Sequence, residues 1–167
     1  MVAGKLSSRV ATDLRLTYPD YSDKVALAAI VAGAAHEGGQ LPDSNRETVL
    51  LVGQNLFFLG RIEAQAEPLG YEVQRATTES IFWEHYANRR PALILVDLEG
   101  DESIWSKVLE NIDKQEDGAV KVVAFGPHEN VAMLERARDL GCDLVLNKGE
   151  FNRDLPKIIE KVKVDSG

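Results

Sequence analysis

Residues 91–97 read Pro-Ala-Leu-Ile-Leu-Val-Asp, an unbroken aliphatic run between a proline and an aspartate. A run this short and this apolar fits a strand buried on both faces of a parallel sheet. Thr48–Gly53 (TVLLVG) has the same character, and Tyr71–Ala76 (YEVQRA), Val120–Phe125 (VKVVAF) and Asp143–Asn147 (DLVLN) read as three further strands. Helical spacing fills the intervals. Asn55–Ala66 carries Leu56, Leu59, Ile62 and Ala66 on one stripe, and helices are predicted at Glu79–Asn88, Ser103–Lys114 and Asn130–Leu140. A last helix is predicted at Asp154–Val164, with Leu155, Ile158, Ile159 and Val162 at i, i+3, i+4 and i+7 and Pro156 tolerated in its first turn. Five strands, each followed by a helix, imply an α/β doubly wound parallel sheet with right-handed crossovers.

The loops of such a sheet limit its chemistry. After the first strand comes Gly53-Gln54-Asn55-Leu56-Phe57-Phe58-Leu59-Gly60, which lacks the G-x-G-x-x-G of a dinucleotide site. There is no Walker A sequence and no G-x-S-x-G nucleophile elbow. His36, His85, His128 and Cys142 are scattered, with no metal-ligand spacing. Cys142 is the only cysteine, so no intramolecular disulfide forms; a reducing cytoplasm and a small buried side chain are the expectations. Trp83 and Trp105 sit among apolar neighbours and read as packing residues.

Outside the sheet pattern, residues 37–47 (EGGQLPDSNRE) form a polar linker. The 36 residues before it predict helices at Ser8–Leu16 and Ser22–His36. Within the second, Val25–Ala35 (VALAAIVAGAA) is apolar throughout, yet falls well short of the roughly 20 residues that span a bilayer. Arg9, Arg15 and Lys24 ahead of it, and Ala32-Gly33-Ala34 within it, imitate a signal peptide; Asp13, Asp20 and Asp23 argue against one. A buried or self-associating helix is the expectation. The organisation is then an N-terminal helical extension (1–36), a linker (37–47) and one domain (48–164).

The 167 residues are 44% hydrophobic and 28% charged, as in globular proteins, and carry a net charge of −8. Residues 49–167 hold fourteen Lys/Arg against twenty-one Asp/Glu, so almost all of the excess lies in the sheet domain. That charge repels nucleic acid and anionic membranes, and neither is an expected partner.

In open parallel sheets the chemistry gathers outside the carboxyl ends of the strands. Those ends carry Gly53, Gln54 and Asn55, then Asp97, then Gly126 and Pro127, and finally Lys148. The succession LILVD, VKVVAFG, a helix ending Leu140-Gly141, and DLVLNK resembles the receiver domain of bacterial response regulators, the CheY-like family, over residues 48–164. The resemblance implies a flavodoxin-like five-stranded sheet in the order 2-1-3-4-5. It places Asp97 at the phosphoacceptor position and Lys148 at the phosphate-contacting position. It also shows losses. The acidic pair that holds Mg²⁺ in the family is Gly53 and Gln54 here, the switch hydroxyl is Gly126, and Lys-Pro has become Lys148-Gly149. With Asp97 and only amide or carbonyl oxygens of Gln54 and Asn55 beside it, weak Mg²⁺ binding is expected. No cofactor, resident metal or catalytic residue is expected.

The reading is a degenerate receiver, not an enzyme, acting as a signalling or scaffold module through protein contacts. Asp97 and Lys148 are expected to form a standing ion pair, and Glu99, Asp101 and Glu102 to be a solvated loop and helix start. The alternatives are a working phosphoacceptor at Asp97 and a small-molecule-binding domain on a flavodoxin-like sheet. The N-terminal helices are the candidate route to a homo-oligomer.

Overall fold

The computed structural model describes residues 46–112 and 120–165. The two helices expected before residue 37, most of the linker and Lys114 lie outside the described residues. Five strands form one parallel sheet: β1 (Thr48–Val52), β2 (Glu72–Ala76), β3 (Leu93–Asp97), β4 (Lys121–Gly126) and β5 (Leu144–Asn147), in the order β2-β1-β3-β4-β5. The expected flavodoxin-like order is the observed one. The helices are α1 (Leu56–Ala66), α2 (Glu79–Asn88), α3 (Glu102–Asn111), α4 (Val131–Asp139) and α5 (Lys148–Asp165).

The two-residue period of a strand sorts its side chains onto the two faces of the sheet. Leu50, Val52, Ile94, Val96, Val122 and Ala124 pack with Phe82 and Trp83 of α2, Trp105 and Val108 of α3, and Leu134 and Ala137 of α4. Val49, Leu51, Leu93, Leu95, Val123 and Phe125 face Phe58, Ile62 and Ala66 of α1 and Phe151, Leu155, Ile159 and Val162 of α5. The central strands β1 and β3 are buried at every position, which is why their sequences show no polar alternation. Trp83 and Trp105 are both core residues, as expected. Cys142 is only partly buried, against the rim of the α2–α4 layer, because it lies in the turn between α4 and β5.

Each helix begins at a recognisable cap. Asn55 Oδ1 accepts from the Phe57 N–H at 2.9 Å, Thr78 Oγ1 from Ile81, Asp101 Oδ1 from Ser103, and Asn130 Oδ1 from Met133. The largest departure from the sequence reading is α5, which starts at Lys148 instead of Asp154 and runs through Pro156. Two hydrogen bonds account for its start. Asn147 Oδ1 accepts from the Glu150 N–H at 2.9 Å, and Glu150 Oε2 accepts from the Asn147 N–H at 3.0 Å, a reciprocal capping box. The extra turns also bury Phe151 completely. That burial is worth about 2 kcal/mol, and with about 1 kcal/mol from the box it offsets the roughly 3 kcal/mol an interior proline costs.

Candidate functional site

The strand order reverses between β1 and β3, which places a cleft outside their carboxyl ends. Gln54, Asn55, Asp97, Glu99, Gly100 and Asp101 line it. A narrow crevice beneath continues inward between Gly53, Asp97 and Trp105.

Asp97 ends β3 and lies on the α1/α5 face with Leu93 and Leu95, by the two-residue period. It is 3% exposed. Its Oδ1 accepts from the Glu99 N–H at 3.1 Å, and its carbonyl accepts from the Gly100 N–H at 3.1 Å, so the loop folds back over it. Burial pushes its carboxyl above the ordinary aspartate range, and the positive charge of Lys148 offsets that in part.

Lys148 is the first residue of α5, and its ammonium lies 5.5 Å from the centre of the Phe58 ring. Phe58 belongs to an aromatic group in which Phe125 and Phe151 stack at 3.9 Å. The lysine's ion-pair partner is Glu99, in the loop after β3. This corrects the expected Asp97–Lys148 pair: Asp97 is recessed beneath its own loop, and the longer, more exposed Glu99 reaches the ammonium instead. Glu99 is therefore not the freely solvated charge its sequence context suggests.

Two of the positions that depart from the receiver pattern, Gly53 and Gly126, are crowded as well as altered. A Cβ on Gly53 would lie 2.8 Å from Asp97 Cβ, and the glycine has a φ of +157°. Since β1 and β3 pair in register from Val49↔Leu93 to Val52↔Val96, Gly53 falls directly beside Asp97. A Cβ on Gly126 would meet Leu98 Cβ at 3.1 Å and Leu134 Cδ2 at 3.5 Å. Leu98 is fully buried in the α2–α4 layer and occupies the space beside the end of β4.

Other groups around the cleft are committed. Gln54 gives its carbonyl to Arg75 at 3.4 Å, and Asn55 caps α1. Asp101 accepts from both the N–H and the hydroxyl of Ser103, which hold its carboxyl below the usual range, and so caps α3. Glu102 pairs with Arg136 of α4 at 3.3 Å. These donors do not fit Mg²⁺, which seeks octahedral oxygen coordination with carboxylate help. Gly53 has no room for a side chain, Glu99 holds Lys148, and Asp101 holds a helix end. Among the described residues no three His, Cys, Asp or Glu side chains gather to hold a metal.

The structure thus brings together Gly53, Gln54, Asp97 and Lys148 around one switch point, with Gly126 on the neighbouring strand. Sequence reasoning missed Glu99 as the partner of Lys148, Leu98 as the residue filling the space beside Gly126, and the Asn147–Glu150 box. Only the last had a local signal, a capping residue followed three positions later by glutamate.

No family model matches the chain, and no curated protein matches it. Solved structures do. A CheY-like response regulator receiver domain protein from Methanospirillum hungatei is 24% identical over 74% of this chain and 100% of its own, with a TM-score of 0.58. The receiver domain of a Pseudomonas aeruginosa sensor histidine kinase, solved with a magnesium ion in its active site cleft, is 22% identical. It covers 71% of this chain and 98% of its own, with a TM-score of 0.59. A chemotaxis response regulator of Vibrio cholerae is 15% identical over 71% of this chain and 99% of its own, at 0.58. The chain therefore has the fold of the response-regulator receiver domain, and these likenesses extend to the fold alone. Among the described residues no helix is long and apolar enough to cross a membrane.

Proposed function

We propose that this domain is a pseudo-receiver, a non-catalytic signalling or scaffold module that acts through protein contacts without phosphoryl transfer to Asp97. The observation that carries the reading is the close approach at Gly53, where a Cβ would stand 2.8 Å from Asp97 Cβ. It leaves no room for a carboxylate at position 53, position 54 is an amide, and Glu99 and Asp101 are engaged elsewhere. Phosphoryl transfer to a carboxylate brings anions together and relies on a cation to offset the developing charge. Here Mg²⁺ would bind weakly, and the neighbouring lysine already has an anion. Gly126 adds no hydroxyl that could follow a phosphoryl group, and Leu98 fills the space beside it.

The partner is a protein, in a cytoplasmic setting, with nucleic acid and membranes disfavoured by the net charge of −8. Residues 1–36 supply either self-association or a docking segment.

Beryllofluoride with Mg²⁺, a mimic of the phosphorylated carboxyl, tests the reading. Trp105 lines the crevice beneath Asp97, so its fluorescence reports occupancy. No saturable change is expected at millimolar Mg²⁺. Saturable binding that Asp97→Asn abolishes would establish a working phosphoacceptor in place of the pseudo-receiver.

A further inference from the structure

We infer that Glu99 is a built-in counter-anion for Lys148, a latch that holds the β3–α3 loop onto the start of α5 with no phosphoryl group present. The inference rests on the pseudo-receiver reading and says how such a site keeps one conformation. A lysine beside a recessed carboxylate would ordinarily draw an anion from solution. Here the anion comes from the chain itself, two residues after Asp97.

Three observations make the pair more than a chance surface contact. The backbone of Glu99 is set by its own N–H donating to Asp97 Oδ1, and the turn is closed by the Gly100 N–H donating to the Asp97 carbonyl. The Lys148 ammonium is held from a second side by the face of Phe58, whose ring is anchored against Phe125 and Phe151. The lysine's backbone is fixed by the Asn147–Glu150 box at the start of α5. Both partners are therefore pre-positioned, which lowers the entropic cost that leaves most surface ion pairs without net effect. The latch joins three elements: the loop after β3, α1 through Phe58, and α5 through Lys148. It also occupies the cation that an incoming phosphoryl oxygen would need.

The side chains of Lys148 and Glu99 are 30% and 45% exposed, so Glu99→Gln and Lys148→Met are expected to leave the fold intact. Amide hydrogen exchange on the full chain, read at Glu99 and Gly100, measures the closure of the loop. Each single variant is expected to speed exchange there about two- to fivefold, the scale of a partly exposed ion pair. The double variant is expected to exchange no faster than either single one. Multiplying effects in the double variant, or unchanged exchange in Glu99→Gln, would overturn the latch. Beryllofluoride binding by the wild-type chain would instead remove the pseudo-receiver reading, and the exchange cycle judges the latch independently of that result.

Discussion

Asp97 shows how one side chain can be placed correctly from sequence and still be misjudged in its company. Its position at a strand end was legible, since a short aliphatic run that stops at an aspartate marks the point where a buried strand meets solvent. Its burial and the absence of a direct ion pair with Lys148 were not, because both depend on how the turn after β3 folds back. Burial raises its folded-state pKa above the unfolded value, so the folded protein keeps the proton to higher pH. The stabilisation from that retained proton is present below the unfolded pKa and is lost as pH rises through the folded one. Asp97→Asn is therefore expected to raise the melting temperature at pH 7. The gain over wild type should fade as pH falls through the ordinary aspartate range, below which the carboxyl is neutral in both folded and unfolded chains. A variant less stable than wild type at pH 7 would mean that the attraction of Lys148 outweighs burial. Gly53 carries the complementary prediction. Gly53→Asp is expected to cost about 2 kcal/mol or more in urea unfolding, through the clash with Asp97, and to confer no tight Mg²⁺ site by calorimetry. A stable variant that binds Mg²⁺ tightly would show that the close approach of β1 and β3 yields readily.

The helices show where local signals suffice and where they compete. Four of the five start within one or two residues of their predicted positions, because each opens on a side chain able to cap it: Asn55, Thr78, Asp101 and Asn130. The fifth starts well ahead of its predicted position, at Lys148 and not Asp154. Pro156 reads most simply as a first-turn residue, and that preference hides the stronger combination of the Asn147–Glu150 box with Phe151 and Leu155 at helical spacing. What decides between them is burial against β4 and α1, a tertiary quantity that no local window contains. Asn147→Ala is expected to destabilise the protein by about 1 kcal/mol. Exchange of the Glu150 amide should rise in the same variant, with the amides of α2 unaffected. If Glu150 stays protected, the first turn of α5 stands without its cap and Lys148 is positioned by other contacts.

For the whole molecule, the sheet with both faces covered makes a complete core from residue 48 onward, and the excess of acidic residues lies on that part of the chain. Deletion of residues 1–40 is therefore expected to leave a folded domain, and to convert any dimer of the full chain to monomer in light scattering. A dimer that survives the deletion would assign self-association to the sheet domain. Five strands, the helices between them and the residues at the carboxyl end of the sheet were legible in the sequence, while the strand order followed from the resemblance to receiver domains and not from the pattern itself. Apolar periodicity leaves little freedom in the elements, because it is written in consecutive residues. Only the tertiary structure decided that Gly53 abuts Asp97, that Leu98 takes the space beside Gly126, and that Lys148 answers to Glu99. Those are contacts between separate segments, settled at the scale of an ångström by strand register and loop closure.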